Sequence, residues 1–417
     1  MKRSLRYGAL VAIAALLLVA LTATVVLTQD QPTILLGSAL SLSGSKVREG
    51  TLYKQAYDFT VDYINSHGGV KVGDTVYNLA IKYYDDESSP TKSATLVEKL
   101  ITQDKVNFLL GPYSSGITIP DSAIAEKYQI PMIEGGGASE TIFSRGFKYI
   151  FGTLAPAGGY FEPVFQLITD PKMAATFKPL PSKVALLYAD DKFDTSVAEG
   201  TRKLVKEKYT QFKLVVDKKY PSATTDFTTL LTEVKAAAPD IVLLAGHAEE
   251  SLAFVQQAKE LDVNAKVMVL TVGPPVHDFR DALGADANFI YGVPSWAASL
   301  NFTDTVLYGT TQNFVQLFEK KYNYEPDYHN ASGAADVIVY KEAIEAAGSL
   351  DPKAVRDAIA KIDILTEYGP VKFKENGQID RGSILIQIQN GRVYVIYPSE
   401  EPNPFYPMPT WSERSER

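Results

Sequence analysis

The feature that most constrains this chain is an alternation that begins at residue 33. Short apolar, β-branched runs recur: TILLGSAL (33–40), YNLAIKYYD (77–85), NFLLG (107–111), IPMIEG (130–135), KVALLYAD (183–190), DIVLLAG (240–246) and KVMVLTV (266–272). Amphipathic stretches at helical spacing separate most of them, over 49–66, 91–103, 117–128, 196–209, 227–238 and 249–261. Buried strands alternating with helices predict βαβ units, an α/β fold of doubly wound parallel sheets with helices on both faces. Ligands of such sheets sit beyond the carboxyl ends of the strands. Here those ends read LSLSGS, GPYSSG, EGGGAS, ADDKFD, AGHAEE and TVGPP.

A chain of 417 residues exceeds one ordinary core. The alternation pauses at GTLAPAGGYFEP (152–163) and then resumes, which predicts two similar lobes. Further crossings between them are expected at GVPSW (292–296) and LTEYGP (365–370), three in all, with a ligand cleft between the lobes. One lobe then comprises 31–152 plus 297–367, and the other 153–296 plus 368–417. The segment 330–347 predicts a helix, and Asp351-Pro352 the start of the next. The alternating run SILIQIQNGRVYVIYP predicts a hairpin turning at Asn390-Gly391, followed by a proline-rich tail extended over a surface. At the other end, basic MKRSLRYG precedes an uncharged apolar run from Gly8 to Thr28. Residues 1–30 therefore predict a signal peptide or a retained membrane anchor, with the rest working outside the cytoplasmic membrane.

Several chemistries drop out. With no Cys there is no disulfide, thiolate ligand or Cys nucleophile, and the four His show neither HxxxH nor HExxH spacing. No metal site and no cofactor are expected. A net charge of −8 without a basic stripe excludes nucleic acid. GPYSSG is not the G-x-S-x-G of a nucleophile elbow, so Ser114 and Ser115 read as helix caps. EGGGAS matches no dinucleotide or P-loop motif. Its glycines suit either a turn with positive φ or a set of amide donors at a helix end, where a carboxylate or phosphate would sit. Asp85 and Asp86 read as caps of a helix starting near Pro90 rather than as calcium ligands, and the same holds for Asp190, Asp191 and Asp194. No set of residues reads as catalytic. What remains is a small-molecule binder whose lobes close by hinge motion.

Taken in order, LSLSGS (40–45), INSHGGV (64–70), KYYDDESSPTKSA (82–94), LLGPYSSG (109–116), Ile130-Pro131 with GGGAS, SRGFKYIFGT (144–153) and YGPVKFKENGQI (368–379) resemble type I periplasmic binding proteins of the leucine/isoleucine/valine-binding branch. The resemblance spans nearly all of 33–400. It implies a non-catalytic solute receptor of an ABC importer, with a small-molecule ligand and a membrane permease as partners and the chain acting as a monomer. It places the ligand carboxylate on Ser114, Ser115, Gly136, Gly137 and Ala138, and an aromatic cover on Phe193. The loop of Gly246 and His247 adds a further contact. Where the family's amino-acid binders carry an acid for the ligand ammonium, this chain has Gly273-Pro274-Pro275. That speaks against an ordinary α-amino acid and for a small organic anion, aromatic or branched aliphatic. Arg48 is a candidate for a second carboxylate, and Tyr113, Tyr160, Phe193 and Trp296 for an aromatic wall.

Overall fold

Two wound sheets organise the chain in this computed structural model, which describes residues 31–399 and 403–414. The expected signal or anchor over 1–30 lies outside the described residues. Among those described, no helix is long and apolar enough to cross a membrane.

The first sheet is laid down by β1 (Thr33–Leu40), α1 (Val47–Ser66), β2 (Val70–Val72), β3 (Thr75–Asp85), α2 (Pro90–Thr102), β4 (Phe108–Leu110), α3 (Ser115–Tyr128), β5 (Met132–Glu134), α4 (Glu140–Phe143) and β6 (Ile150–Gly152). Its strand order is β2-β3-β1-β4-β5-β6, parallel except for the β2–β3 hairpin. A turn over 157–159 and α5 (Glu162–Thr169) lead into the second sheet. That sheet is wound by β7 (Lys183–Ala189), α6 (Lys192–Glu207), β8 (Lys213–Tyr220), α7 (Thr228–Ala237), β9 (Ile241–Ala245), α8 (Ala248–Glu260), β10 (Val267–Leu270), α9 (His277–Leu283) and β11 (Tyr291–Gly292). The parallel order β8-β7-β9-β10-β11 repeats the winding β3-β1-β4-β5-β6 of the first.

After β11 the chain forms α10 (Thr311–Tyr322), α11 (Tyr328–Ala347), α12 (Pro352–Ile359) and the hairpin β12 (Asp363–Thr366) with β13 (Gly369–Lys372). α11 packs on α1, against the first sheet. The predicted Asn390-Gly391 hairpin is present as β14 (Leu385–Gln389) and β15 (Arg392–Tyr397), and it adds antiparallel strands to the second sheet beside β11. The tail ends in one helical turn, α13 (Trp411–Arg414), with Trp411 buried and its indole N–H bonded to Val263 O.

Of the strands that escaped the pattern, which include β2, β12 and β13, the three in the parallel parts of the sheets each have a physical reason. β6 and β11 are three and two residues long, too short to show a period. β8 is an edge strand whose Lys213, Lys218 and Lys219 face water, so it lacks the apolar signature. Helices α3 and α6 start earlier than the apolar periodicity indicates, with Ser114 and Asp191 at their N-cap positions; only Asp191 makes a side-chain capping bond, to Asp194 N. The helix starting at Pro90 is capped by Ser89 rather than by Asp85 or Asp86. Asp85 instead binds the amides of Leu42 and Ser43, and Asp86 binds Ser41 Oγ and the Ser88 amide. Asp351 does cap α12, accepting from Ala354 N.

The first chain crossing is locked onto α6 by two glycines. A Cβ on Gly200 would lie 2.2 Å from both Cα and O of Gly158. Gly200→Ala should gain up to about 1 kcal/mol of helix propensity but lose about 1–3 kcal/mol to overpacking. The expected outcome is a net fall in the urea midpoint at unchanged slope; a midpoint at or above wild type would refute this close packing.

Candidate functional site

The carboxyl ends of both sets of strands face each other, and the predicted loops meet there. From the first lobe, Tyr113 in the loop after β4 extends its hydroxyl to His247 Nδ1, 2.7 Å away in the loop after β9. Tyr113 also packs beside Tyr53 and His329, with ring centroids 6.1 and 5.6 Å away. From the second lobe, Phe193 meets the Tyr160 ring at 5.2 Å and the His247 ring at 6.1 Å. An aromatic seam through Tyr113, Tyr160 and Phe193 thus joins the lobes. Trp296 is not in it: fully buried, it packs edge-on to Phe314 and donates to Glu367 O.

The two serines differ. Ser114 occupies the N-cap position of α3, yet its side chain makes no capping bond. Ser115 is fully buried, and its Oγ accepts from the amides of Ala138 and Ser139, both at 3.1 Å. With its oxygen so engaged, the Ser115 hydroxyl has only its proton left to offer. No hydrogen bond joins either serine to an imidazole or carboxylate among the described residues.

EGGGAS departs from expectation in two ways. None of Gly135, Gly136 and Gly137 has a positive φ; they are needed for space. A Cβ on Gly136 would sit 2.4 Å from Pro112 O, and one on Gly137 would sit 2.7 Å from Ile142 Cδ1. The amides of Gly136 and Gly137 are also not presented to a ligand, because both donate to the carboxylate of Glu134. The chain supplies its own acceptor to this turn. Gly136, Gly137 and Ala138 therefore build the turn, and of the predicted grip Ser115 retains a free donor.

Second-lobe expectations shift as well. Arg48 is held by the second lobe's own carboxylates, Glu249 at 2.8 Å and Asp278 at 3.1 Å, so it braces the lobes. Gly273 has φ +110°, and a Cβ there would meet Ser251 and Phe279, which places it in second-lobe packing. Glu250 accepts from His247 N at the start of α8. His277 stacks on Tyr324 and pairs with Asp278.

Gly273-Pro274-Pro275 carries no acid, but the second lobe brings acids to the seam from the loop after β7 and the start of α6. Asp191 caps α6, accepts from Asp194 N, and lies 2.6 Å from His247 Nε2. Burial alone would raise the Asp191 carboxyl, but His247 and Lys46 hold it below the usual range. Asp194 is fully buried; burial, and then Asp191 and Glu250, push it well above that range. From the first lobe, buried Glu49 accepts from Ala248 N at 3.3 Å. Sequence reading treated Asp191 and Asp194 only as caps and passed over Glu49, Tyr53, Glu134, Tyr328 and His329. The last two, in the first turn of α11, carried no loop motif to mark them.

Two doubly wound lobes meeting at their strand ends over an aromatic, hydroxyl-bearing seam define a two-lobed binding protein of type I arrangement. The chain belongs to the periplasmic binding protein family, whose model matches residues 33–392. It is similar to the Leu/Ile/Val-binding protein homolog 7 of Brucella suis biovar 1 (strain 1330), at 26% identity over 398 residues, 91% of this chain and 96% of that protein. Among solved structures it resembles the branched-chain amino acid transporter substrate binding protein LivJ from Streptococcus pneumoniae str. Canada MDR_19A in complex with isoleucine. That match has a TM-score of 0.75 at 23% identity and covers 88% of this chain and 100% of that one. A solute binding protein of an ABC transporter from R. palustris, in complex with benzoate, matches with a TM-score of 0.74 at 20% identity, over 87% and 95% of the two chains. The family read from the loop motifs is the family found.

Glu134 offers a test of the buried turn. Burial first, and then Asp336, raise its carboxyl well above the usual range against the pull of the two amides. Between the unfolded value near about 4.3 and this raised folded value, the folded state holds more protons than the unfolded one. Stability therefore falls as pH rises through that window. Glu134→Gln keeps an acceptor for the amides and does not titrate. Its melting temperature relative to wild type should climb from pH 4 to pH 8, by up to about 1.4 kcal/mol for each pH unit crossed. A difference that does not change with pH would show that Glu134 is ionised in the fold.

Proposed function

We propose that this protein is the extracytoplasmic solute receptor of an ABC importer, capturing a small organic acid with an aromatic or branched aliphatic body between its lobes. Its partner is the membrane permease, and the lobes close on the ligand by hinge motion. Family membership supports the transport role.

The observation that carries the ligand class is Ser115. Its oxygen is occupied by the Ala138 and Ser139 amides, so its proton is left to donate, and it stands in the first turn of α3, where helix-end amides favour an anion. The rings of Tyr113, Tyr160 and Phe193 supply an apolar wall of the kind an aromatic or branched body packs against. The matched structures carry isoleucine and benzoate, ligands that pair a carboxylate with such a body.

A thermal-shift panel of benzoates, branched keto acids, isoleucine and leucine tests the reading, since a ligand at a hundredfold excess over Kd stabilises by about 2.7 kcal/mol. At least one carboxylate should raise the melting temperature, and Ser115→Ala should weaken it about tenfold or more through loss of a hydrogen bond to a charged group. The same ligand should reduce the radius of gyration in X-ray scattering. A panel on which no carboxylate shifts the melt, or Ser115→Ala binding with unchanged affinity, would refute the carboxylate grip.

A further inference from the structure

On the second lobe's side of the seam, three donor groups converge that capture of an organic acid does not require. Asp191 and Asp194 stand at the cap and in the first turn of α6, and His247 reaches them from the loop after β9. His247 Nε2 lies 2.6 Å from Asp191 Oδ2 and 3.7 Å from Asp194 Oδ2. One donor atom from each residue lies within 4.8 Å of the other two. Asp194 is fully buried, and neither of its carboxylate oxygens has a hydrogen-bond partner. A helix cap requires only Asp191; nothing in α6 calls for a second, unpartnered carboxylate aimed at an imidazole.

We propose that Asp191, Asp194 and His247 form a binding site for a divalent transition metal of the zinc class. The donor spacing suits it: with metal–ligand bonds near 2.0 Å, the edges of a zinc tetrahedron are about 3.3 Å, between the two separations seen here. The charge suits it too, because two carboxylates and a neutral imidazole balance a dication. Tyr113 supplies the outer contact such sites use. Its hydroxyl holds His247 Nδ1 and so fixes the ring with Nε2 toward the carboxylates. A cavity of about 250 Å³, lined by Lys46, Ala223, His247, Glu249 and Glu250, lies beside the site on the His247 side. The imidazole selects for zinc-like ions over calcium and magnesium, which prefer oxygen ligands alone.

Two neighbours bear on the site. Glu250 lies close enough to add to the negative field on Asp194. Lys46, from the first lobe, sets its ammonium 3.8 Å from Asp191 Oδ2 and is the cation with which a metal must compete. A ligand ammonium could also answer Asp194, but one positive charge would offset only one of the two carboxylates and leave the imidazole nitrogen without a role.

The test is calorimetric titration of the purified, EDTA-treated protein with zinc chloride and then calcium chloride, with no organic ligand present. Its outcome is therefore separate from that of the carboxylate panel. The expected result is one zinc per chain at micromolar affinity or tighter, with calcium far weaker. Asp194→Asn and His247→Ala should each weaken zinc by about tenfold or more, with melting curves confirming that both fold. Asp190→Asn, at an exposed residue paired with Lys219, should leave binding unchanged, and Lys46→Gln should tighten it severalfold. Absence of stoichiometric zinc uptake, equal affinity for calcium, or unchanged binding in both Asp194→Asn and His247→Ala would overturn the proposal. So would loss of isoleucine affinity in Asp194→Asn when zinc does not bind, since the carboxylate would then serve an ammonium.

Discussion

A parallel sheet imposes one constraint from which the rest of this molecule follows. Each strand must be reached by a crossover, so all strands end at the same edge, and the loops that leave that edge are free of the core. The chain meets the constraint twice, with the same winding in β3-β1-β4-β5-β6 and β8-β7-β9-β10-β11. Its chain crossings set the two loop-bearing edges face to face. The Tyr113–Ser115 stretch, Phe193 and His247 lie far apart in sequence, yet each follows the carboxyl end of a parallel strand. Their meeting at one seam is a result of topology before it is a result of side-chain chemistry.

That explains what was legible. Strand–helix alternation is a period carried by many residues, so the fold class, the hairpin at Asn390-Gly391 and the loops that reach the seam could all be read. Side-chain partners are set by contacts across the fold, and these could not. Glu134 sits inside a strand-end motif whose glycines drew attention to their amides; that its own carboxylate takes two of them depends on local backbone geometry. Arg48 looked like a free cation because its acids, Glu249 and Asp278, are about two hundred residues away. Tyr328 and His329 reach the seam only because α11 packs on α1, and no local pattern encodes that.

The buried acids show how the first lobe tolerates polarity at its centre. Asp336 on α11 accepts from Thr153 Oγ1 at 2.7 Å and lies 3.3 Å from the Tyr57 hydroxyl, and Glu134 accepts from two glycine amides. Burial raises both carboxyls, so the protonated forms are favoured and the cost of burying two charges is avoided. Hydrogen bonds then tie α11, β5 and the loop after β6 together. This fixes the EGGGAS turn, and through the Ala138 and Ser139 amides it fixes the orientation of the Ser115 hydroxyl.

Charge at the seam is the remaining physical question. Around His247, Glu49, Asp191, Asp194 and Glu250 stand against Lys46 and the imidazole, while Arg48 is matched by Glu249 and Asp278. A site with that balance repels an organic anion unless positive charge is added or the acids are neutralised. Asp194, raised by burial and by Asp191, is the one that neutralises most readily. Its protonation removes one charge but leaves a buried O–H whose acceptor must come from Asp191 or a ligand. A divalent cation at the proposed site would offset both charges at once and would turn the same groups from repulsive to attractive for the carboxylate proposed to meet Ser115. On the proposed reading the acid-rich second lobe and the start of α3 in the first are two halves of one electrostatic arrangement, joined through the Tyr113–His247 contact.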